Sequence, residues 1–259
     1  MRFDVITLFP ELFAPFLASG VTRRAYESGL VEVKLWNPRD FADGSYRRVD
    51  DRPFGGGPGM VMLAEPLALC LDAIHAARGL DGRPRAPVVL FSPIGKTLDH
   101  AGVETWSGSE GAVLVCGRYE GLDQRFIDSH IDQQISLGDF VLSGGEIAAM
   151  ALLDAVARLQ PGVLNDEGSH QMDSFNPALD GLLDCPHYTR PEAWRGQPVP
   201  EVLLSGNHAL IERWRREQRL ALTFQQRPEL LQKARRDGRL TAKDEAFLSS
   251  LPEHLAPKR

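Results

Sequence analysis

The strongest constraint on the fold is an alternation. Over the first two-thirds of the chain, short runs of β-branched and apolar residues are separated by segments with helical periodicity. The runs are FDVITLF (3–9), LVEVKLW (30–36), APVVLF (86–91) and GAVLVC (111–116). Residues 65–79 (EPLALCLDAIHAARG) and 98–106 read as helices, and IAAMALLDAVARLQ (147–160) has the densest apolar face, stopped by Pro161-Gly162. Near-continuous apolar strands need cover on both faces, which a mostly parallel sheet between helical layers supplies. The expected class is therefore α/β. After Pro161 the pattern becomes polar and turn-rich, and beyond it only helical periodicity remains, at 208–220, 228–237 and 241–250. This predicts a first domain over 1–161, a linker over 162–178 and a small helical domain over 179–259.

Composition removes several function classes. The 259 residues carry a net charge of -6, which argues against indiscriminate binding to nucleic acid. The balance is uneven: from Ala178 onward 14 Lys+Arg face 11 Asp+Glu, so that part is +3 and the remainder -9. A polyanionic partner is expected on the carboxy-terminal part. No run of 18 apolar residues exists, and Asp4 and Glu11 interrupt the amino terminus where a signal peptide needs an apolar core, so no membrane partner and a cytoplasmic address are expected. Cys70, Cys116 and Cys185 are odd in number and lack CxxC spacing, and read as buried small hydrophobes.

Two tempting motifs fail. SPIGKT (92–97) ends like a phosphate-binding loop, but GxxxxGK[ST] requires glycine where Leu90 stands. FGGGPGM (54–60) is not GxGxxG and reads as a plain loop. HExxH, GxSxG and a metal-like histidine cluster are absent from the sequence. What holds together is a set of three loops, each at the carboxyl end of an apolar run, where open α/β sheets bind ligands. They are SPIG (92–95), GRYEG (117–121) and the run ISLGDFVLSGGE (135–146). Their glycines let backbone groups approach a ligand closely, which predicts a pocket built largely of main chain.

These loops, with ITLFPELF, VDDRPFGGGPGM, LVCGRYEG, SLGDFVLSGGE, DSF, GLLDCPHYTRP and VLLSGNHALIERWRR, resemble the bacterial tRNA (guanine-N1)-methyltransferase family, of the SPOUT class, from residue 6 to 216. The resemblance implies a deep trefoil knot in the α/β domain and S-adenosylmethionine as methyl donor. It also implies methylation at N1 of guanosine 37 of tRNA, next to the anticodon. It places donor contacts at Leu90, Phe91, Ser92, Pro93, Gly117, Tyr119 and Glu120, and at Leu137, Gly138, Asp139, Phe140, Val141, Leu142, Gly144 and Gly145. Phe140 stands where the family often has tyrosine.

Guanine N1 carries a proton, so its methylation needs a general base and something to offset negative charge growing on O6. The resemblance assigns the base to Asp173 of DSF and a supporting role to Arg158, with Glu120 beside the reacting groups. Read without it, Asp173 is a solvated loop acid, Arg158 pairs with Asp154 one helical turn earlier, and Glu120 is a turn carboxylate. The resemblance further implies substrate contacts from Ser174, Asp184, His187, Trp214 and Arg215, a homodimer whose active site is shared between subunits, and use of magnesium without a residue-level site. Arg213, Arg215, Arg216 and Arg219 around Trp214 form one candidate phosphate-binding patch, and Arg47, Arg48 and Arg52 beside Tyr46 a second. Two readings compete: a SPOUT enzyme acting on ribose 2′-hydroxyls, and a non-catalytic RNA-binding module.

Overall fold

The computed structural model describes residues 1–165 and 170–252. The chain divides into two compact units, Met1–Asn165 and Asp166–Arg259. In the first, five strands form one sheet: β1 (Arg2–Ile6), β2 (Glu32–Trp36), β3 (Val88–Thr97), β4 (Val113–Val115) and β5 (Gln133–Ser136). Their order is β2-β1-β4-β3-β5 and every neighbouring pair is parallel. The expected α/β architecture with a parallel sheet is thus present. The apolar runs read as strands supply four of the five.

Side-chain alternation along each strand divides the core. Phe3, Val5, Val89 and Leu114 face Leu152, Leu153 and Val156 of the helix Glu146–Ala157. Ile6, Val88, Val113 and Val115 face Leu67, Leu71 and Ile74 of the helix Ala64–Leu80. Both faces are therefore apolar, which explains why the strands read as continuous rather than alternating runs.

Among the elements that escaped the sequence are the short helices Phe13–Leu17, Arg23–Glu27 and Glu201–Leu204, and two more in the sheet domain. The helix Gln124–His130 is too short to express a period; Asp123 caps it by accepting from the Arg125 backbone N–H at 2.9 Å. Strand β5 begins inside a polar stretch and contributes only Ile135 and Ser136 as buried residues. It is an edge strand, and edges need no continuous apolar run.

Beneath the second apolar face lies an ionic network that no local pattern announces. Asp4 is fully buried; its Oδ1 accepts from Arg2 Nη2 at 2.7 Å and Trp36 Nε1 at 2.9 Å, and its Oδ2 from Arg78 Nη1 at 2.8 Å. Arg78 also donates to the Pro84 carbonyl, and Arg2 reaches Asp81 at 2.5 Å. Each buried charge is thus matched, and removing one partner strands the others. Asp4→Ala is expected to cost about 3–5 kcal/mol, measured as a shift in the urea midpoint, because buried Arg78 loses its carboxylate and Arg2 keeps only the half-exposed Asp81.

The second unit is helical. Helices His208–Gln226, Pro228–Arg236 and Ala242–Ser250 enclose a small core of Leu182, Leu220, Leu231, Ala234 and Leu248. The last helix opens with a capping box between Thr241 and Asp244. Burial pushes the Asp244 carboxyl up, but Arg216 and the Thr241 backbone N–H and hydroxyl outweigh that and hold it at about 2. A depressed carboxyl contributes stability above its unfolded value, here 3.8, and loses it as pH falls to about 2. The stability gap between wild type and Asp244→Asn should therefore be full at pH 5 and shrink toward zero at pH 2, followed by urea denaturation of the full chain. Among the described residues, no helix is long and apolar enough to cross a membrane.

Candidate functional site

A cavity of about 370 Å³ opens where β3, β4 and β5 end, walled by the three glycine-bearing loops. Of the donor-contact positions expected from sequence, Gly138 and Asp139 stand outside its lining, and all the others are in it. The first wall is an excursion of β3. Phe91 and Lys96 both pair with Ile135, so Ser92–Gly95 bulge out of the ladder before the strand rejoins it. A Cβ on Gly95 would fall 2.5 Å from the Ile135 nitrogen, so only glycine lets the chain return this closely.

The second and third walls are joined to each other. Arg118 and Gly144 form an isolated antiparallel bridge, and the Gly145 N–H donates to the Gly117 carbonyl at 3.0 Å. A Cβ on Gly145 would lie 2.7 Å from the Cys116 Cα. Behind the bridge sits Glu146, buried at the start of its helix. Its Oε1 accepts from Thr7 Oγ1 at 2.9 Å and from Arg118 Nε at 3.1 Å; Oε2 lies 2.9 Å from the same Nε without an aligned hydrogen bond. Arg118 Nη1 also donates to the Ser143 carbonyl at 3.2 Å, and its guanidinium lies 4.4 Å above the Phe9 ring. Sequence reading placed Arg118 and Glu146 inside motifs but assigned them nothing, since a pairing across 28 positions leaves no local signal.

Tyr119 adopts a left-handed backbone with φ of 59° and is half exposed at the cavity. Glu120 is exposed, and its N–H donates to the Met60 carbonyl at 2.9 Å. A Cβ on Gly59 would collide with the Glu120 side chain, so the glycine-rich run read as a plain loop is packed against this carboxylate. All three cysteines are free and buried, as expected; burial pushes the Cys116 thiol beside the cavity well above its ordinary value, which removes it as a nucleophile.

In the second unit, Ser174, Asp184 and His187 come together. Ser174 Oγ accepts from the Asp184 N–H at 2.9 Å, and the Asp184 carboxylate meets the Cys185 N–H at 2.7 Å, His187 Nε2 at 2.8 Å and Arg219 Nε at 3.3 Å. Burial pushes the Asp184 carboxyl up, but these three partners hold it below the ordinary carboxylate value. Asp173 is half-buried one residue before this group, its N–H donating to the His170 carbonyl at 3.3 Å. Arg158 lies in the first unit as the carboxyl-terminal cap of the helix Glu146–Ala157, so the two residues assigned to the reaction belong to different units.

Trp214 packs beside Tyr188 with ring centroids 6.2 Å apart. The arginines around Trp214 divide into two pairs. Arg216 is bound to Asp180 and Asp244, and Arg219 is buried on Asp184, so both serve the fold. Arg213 and Arg215 bridge to Glu217 and Glu212 on the helix surface, pairs worth little in water. In the other patch Arg47 pairs with Asp40 and Arg48 with Asp51, while Tyr46 is almost fully exposed.

Among the described residues one group could converge on a metal: Asp184, Cys185 and His187. Magnesium demands octahedral oxygen ligands, and this set offers sulfur, imidazole and an already committed carboxylate, so it does not fit. A nucleoside-bearing donor suits the main cavity better. Its lining includes Tyr119 and Phe140, two aromatic residues that are about half exposed.

A parallel α/β sheet with a cavity at its strand ends is the arrangement in which open α/β proteins bind ligands. The family model described as tRNA (Guanine-1)-methyltransferase TrmD matches residues 1–233, and the chain belongs to that family. Its relatives include proteins named tRNA (guanine-N(1)-)-methyltransferase. One from Polaromonas sp. (strain JS666) is 83% identical over 254 residues, covering 98% of each chain. One from Albidiferax ferrireducens is 76% identical over 250 residues (96% of this chain, 99% of the relative), and one from Bordetella pertussis 58% over 251 residues (97% and 98%).

The joined loops generate a paired prediction. Gly145→Ala should destabilise by about 1–3 kcal/mol, because its methyl group meets rigid backbone. Gly79→Ala, at a helix position with open space around it, should stabilise by about 0.5–1 kcal/mol. Thermal unfolding of both variants checks the contrast.

Proposed function

We propose that this chain methylates N1 of guanosine 37 in tRNA, using S-adenosylmethionine held in the cavity at the ends of β3, β4 and β5. Family membership makes it a tRNA (guanine-N1)-methyltransferase; the nucleotide position, the donor site and the residue roles are our reading. The observation that carries it is the cavity itself: loops chosen from sequence for donor contact converge on its lining. The knot implied by the resemblance is part of the proposal, and the Arg118–Gly144 bridge supports it by tying two of its loops.

Bound there, the donor supplies an electrophilic methyl group on a sulfonium centre. The protein's own task is to prepare the acceptor. Asp173 takes the N1 proton as the N1–carbon bond forms and the sulfur–carbon bond breaks. Arg158 offsets the negative charge developing on O6, and Glu120 lies beside the reacting groups. In line with the family resemblance, the active form is a homodimer in which Asp173 of one subunit completes the cavity of the other. The tRNA is met by Ser174, Asp184 and His187 together with Trp214 and Arg215, the α/β unit acting as methyltransferase domain and the helical unit as RNA-binding domain. Residues 166–169 of the expected 162–178 linker lie outside the described residues. Magnesium enters no step.

The test is methyl transfer from labelled S-adenosylmethionine to tRNA transcripts differing only in guanosine or adenosine at position 37. Wild type should label only the guanosine transcript, and Asp173→Ala should lose at least about a hundredfold in rate, the usual weight of a general base. Equal labelling of both transcripts would move the target to another nucleotide or to ribose. Retained tRNA binding without transfer would favour a non-catalytic module.

A further inference from the structure

The loop 52–60 (RPFGGGPGM) carries no task in the reaction above, yet it is fastened to the cavity wall. It closes a two-stranded antiparallel ladder in which Asp50 pairs with Met62 and Asp51 with Val61. The base of this hairpin is clamped to the second loop of the cavity. The Met62 N–H donates to the Gly121 carbonyl and the Glu120 N–H to the Met60 carbonyl, both at 2.9 Å, and the Asp123 N–H donates to the Met62 carbonyl at 3.0 Å. Glu120, Gly121 and Leu122 line the cavity. Beyond the clamp the tip stands clear. A Cβ on Gly55, Gly56 or Gly57 would meet nothing within 4 Å among the described residues, and all three have positive φ, so these glycines shape the loop and do not make room for a neighbour. Phe54, at the tip, is fully exposed.

A bare aromatic ring gains by being covered, and the composition of the tip says by what. Arg52 is the only charged residue from 52 to 60; it is exposed and forms no ion pair among the described residues. A ring beside an uncommitted guanidinium, with no acid in the same loop, suits a base and its phosphate in single-stranded nucleic acid. Position narrows the choice of base. Phe54 stands five residues from Gly59, which lies against Glu120, so its Cα is at most about 18 Å from the cavity wall. That reach covers the nucleotides flanking one held at the cavity.

We infer that Phe54 is a stacking platform for an unpaired base flanking the methylated guanosine, with Arg52 meeting the adjoining phosphate. The inference rests on the tRNA-methylating reading proposed above. It places an RNA contact on the α/β unit itself, so the unit that holds the donor also grips the target strand. Every base has a π-face, so Phe54 positions the strand and does not select its sequence.

Filter binding tests this with Phe54→Ala, Phe54→Trp and three tRNAs: intact, and lacking the base at position 36 or at position 38. Phe54→Ala should bind intact tRNA about tenfold more weakly than wild type, the worth of one stacked base, and Phe54→Trp within about twofold of wild type. On one of the two abasic tRNAs, wild type and Phe54→Ala should bind within about twofold of each other, since the ring then has nothing to cover. Calorimetry should find S-adenosylhomocysteine bound alike by all three proteins; a loss with Phe54→Ala would assign the ring to the donor and overturn the platform. The platform is overturned as well if Phe54→Ala binds intact tRNA as wild type does, or keeps its tenfold deficit on both abasic tRNAs. A changed sedimentation mass of Phe54→Ala at the assay concentration would place the ring between subunits and overturn it too. In each of these cases, guanosine-dependent methyl transfer by wild type leaves the reading of the reaction standing. Wild type that neither binds nor methylates tRNA sinks that reading, and the platform with it.

Discussion

The cavity depends on one buried carboxylate. Glu146 is almost wholly inaccessible, and it joins three segments that are remote in sequence: the end of β1 through Thr7, the loop after β4 through Arg118, and its own helix start. A buried charge of this kind is tolerable only when matched, so the loop carrying Arg118 cannot drift without stranding it. Arg118 then passes the constraint on, holding the Ser143 carbonyl and bridging Gly144. The glycines at 144 and 145 follow from this arrangement, because the guanidinium and the Cys116 backbone occupy the space a Cβ would need.

The same principle recurs beneath the sheet and in the helical unit. Asp4 holds Arg2 and Arg78 under one face, and Asp244 holds Arg216 and the first turn of the last helix. In each place an acid is spent on arginines that composition alone would count as free cations. Of the four arginines around Trp214, two are committed inside the unit, and Arg213 and Arg215 stay on the helix surface.

Much of this architecture was legible from residue order. Four of the five strands and the long helices announce themselves because both faces of a parallel sheet are apolar, and a two-sided apolar run is conspicuous. The fifth strand and the helix Gln124–His130 did not, one being a short edge and the other under two turns long. The loops of the cavity were recognisable through their glycines. Residues whose meaning comes from a distant partner were not: Asp4, Arg118 and Glu146 look like ordinary polar residues until the chain brings their partners into place.

What the sequence alone determined is therefore the α/β class, the helical character of the carboxy-terminal part, and the family with its chemistry, since these rest on local periodicity and contiguous motifs. Tertiary structure decided which charges are buried and which glycines are sterically required. The physical reason is range. Periodicity and turn chemistry act over a few residues, whereas burial and ion pairing are properties of neighbours that the chain supplies from more than a hundred positions away, as Thr7 and Glu146 do.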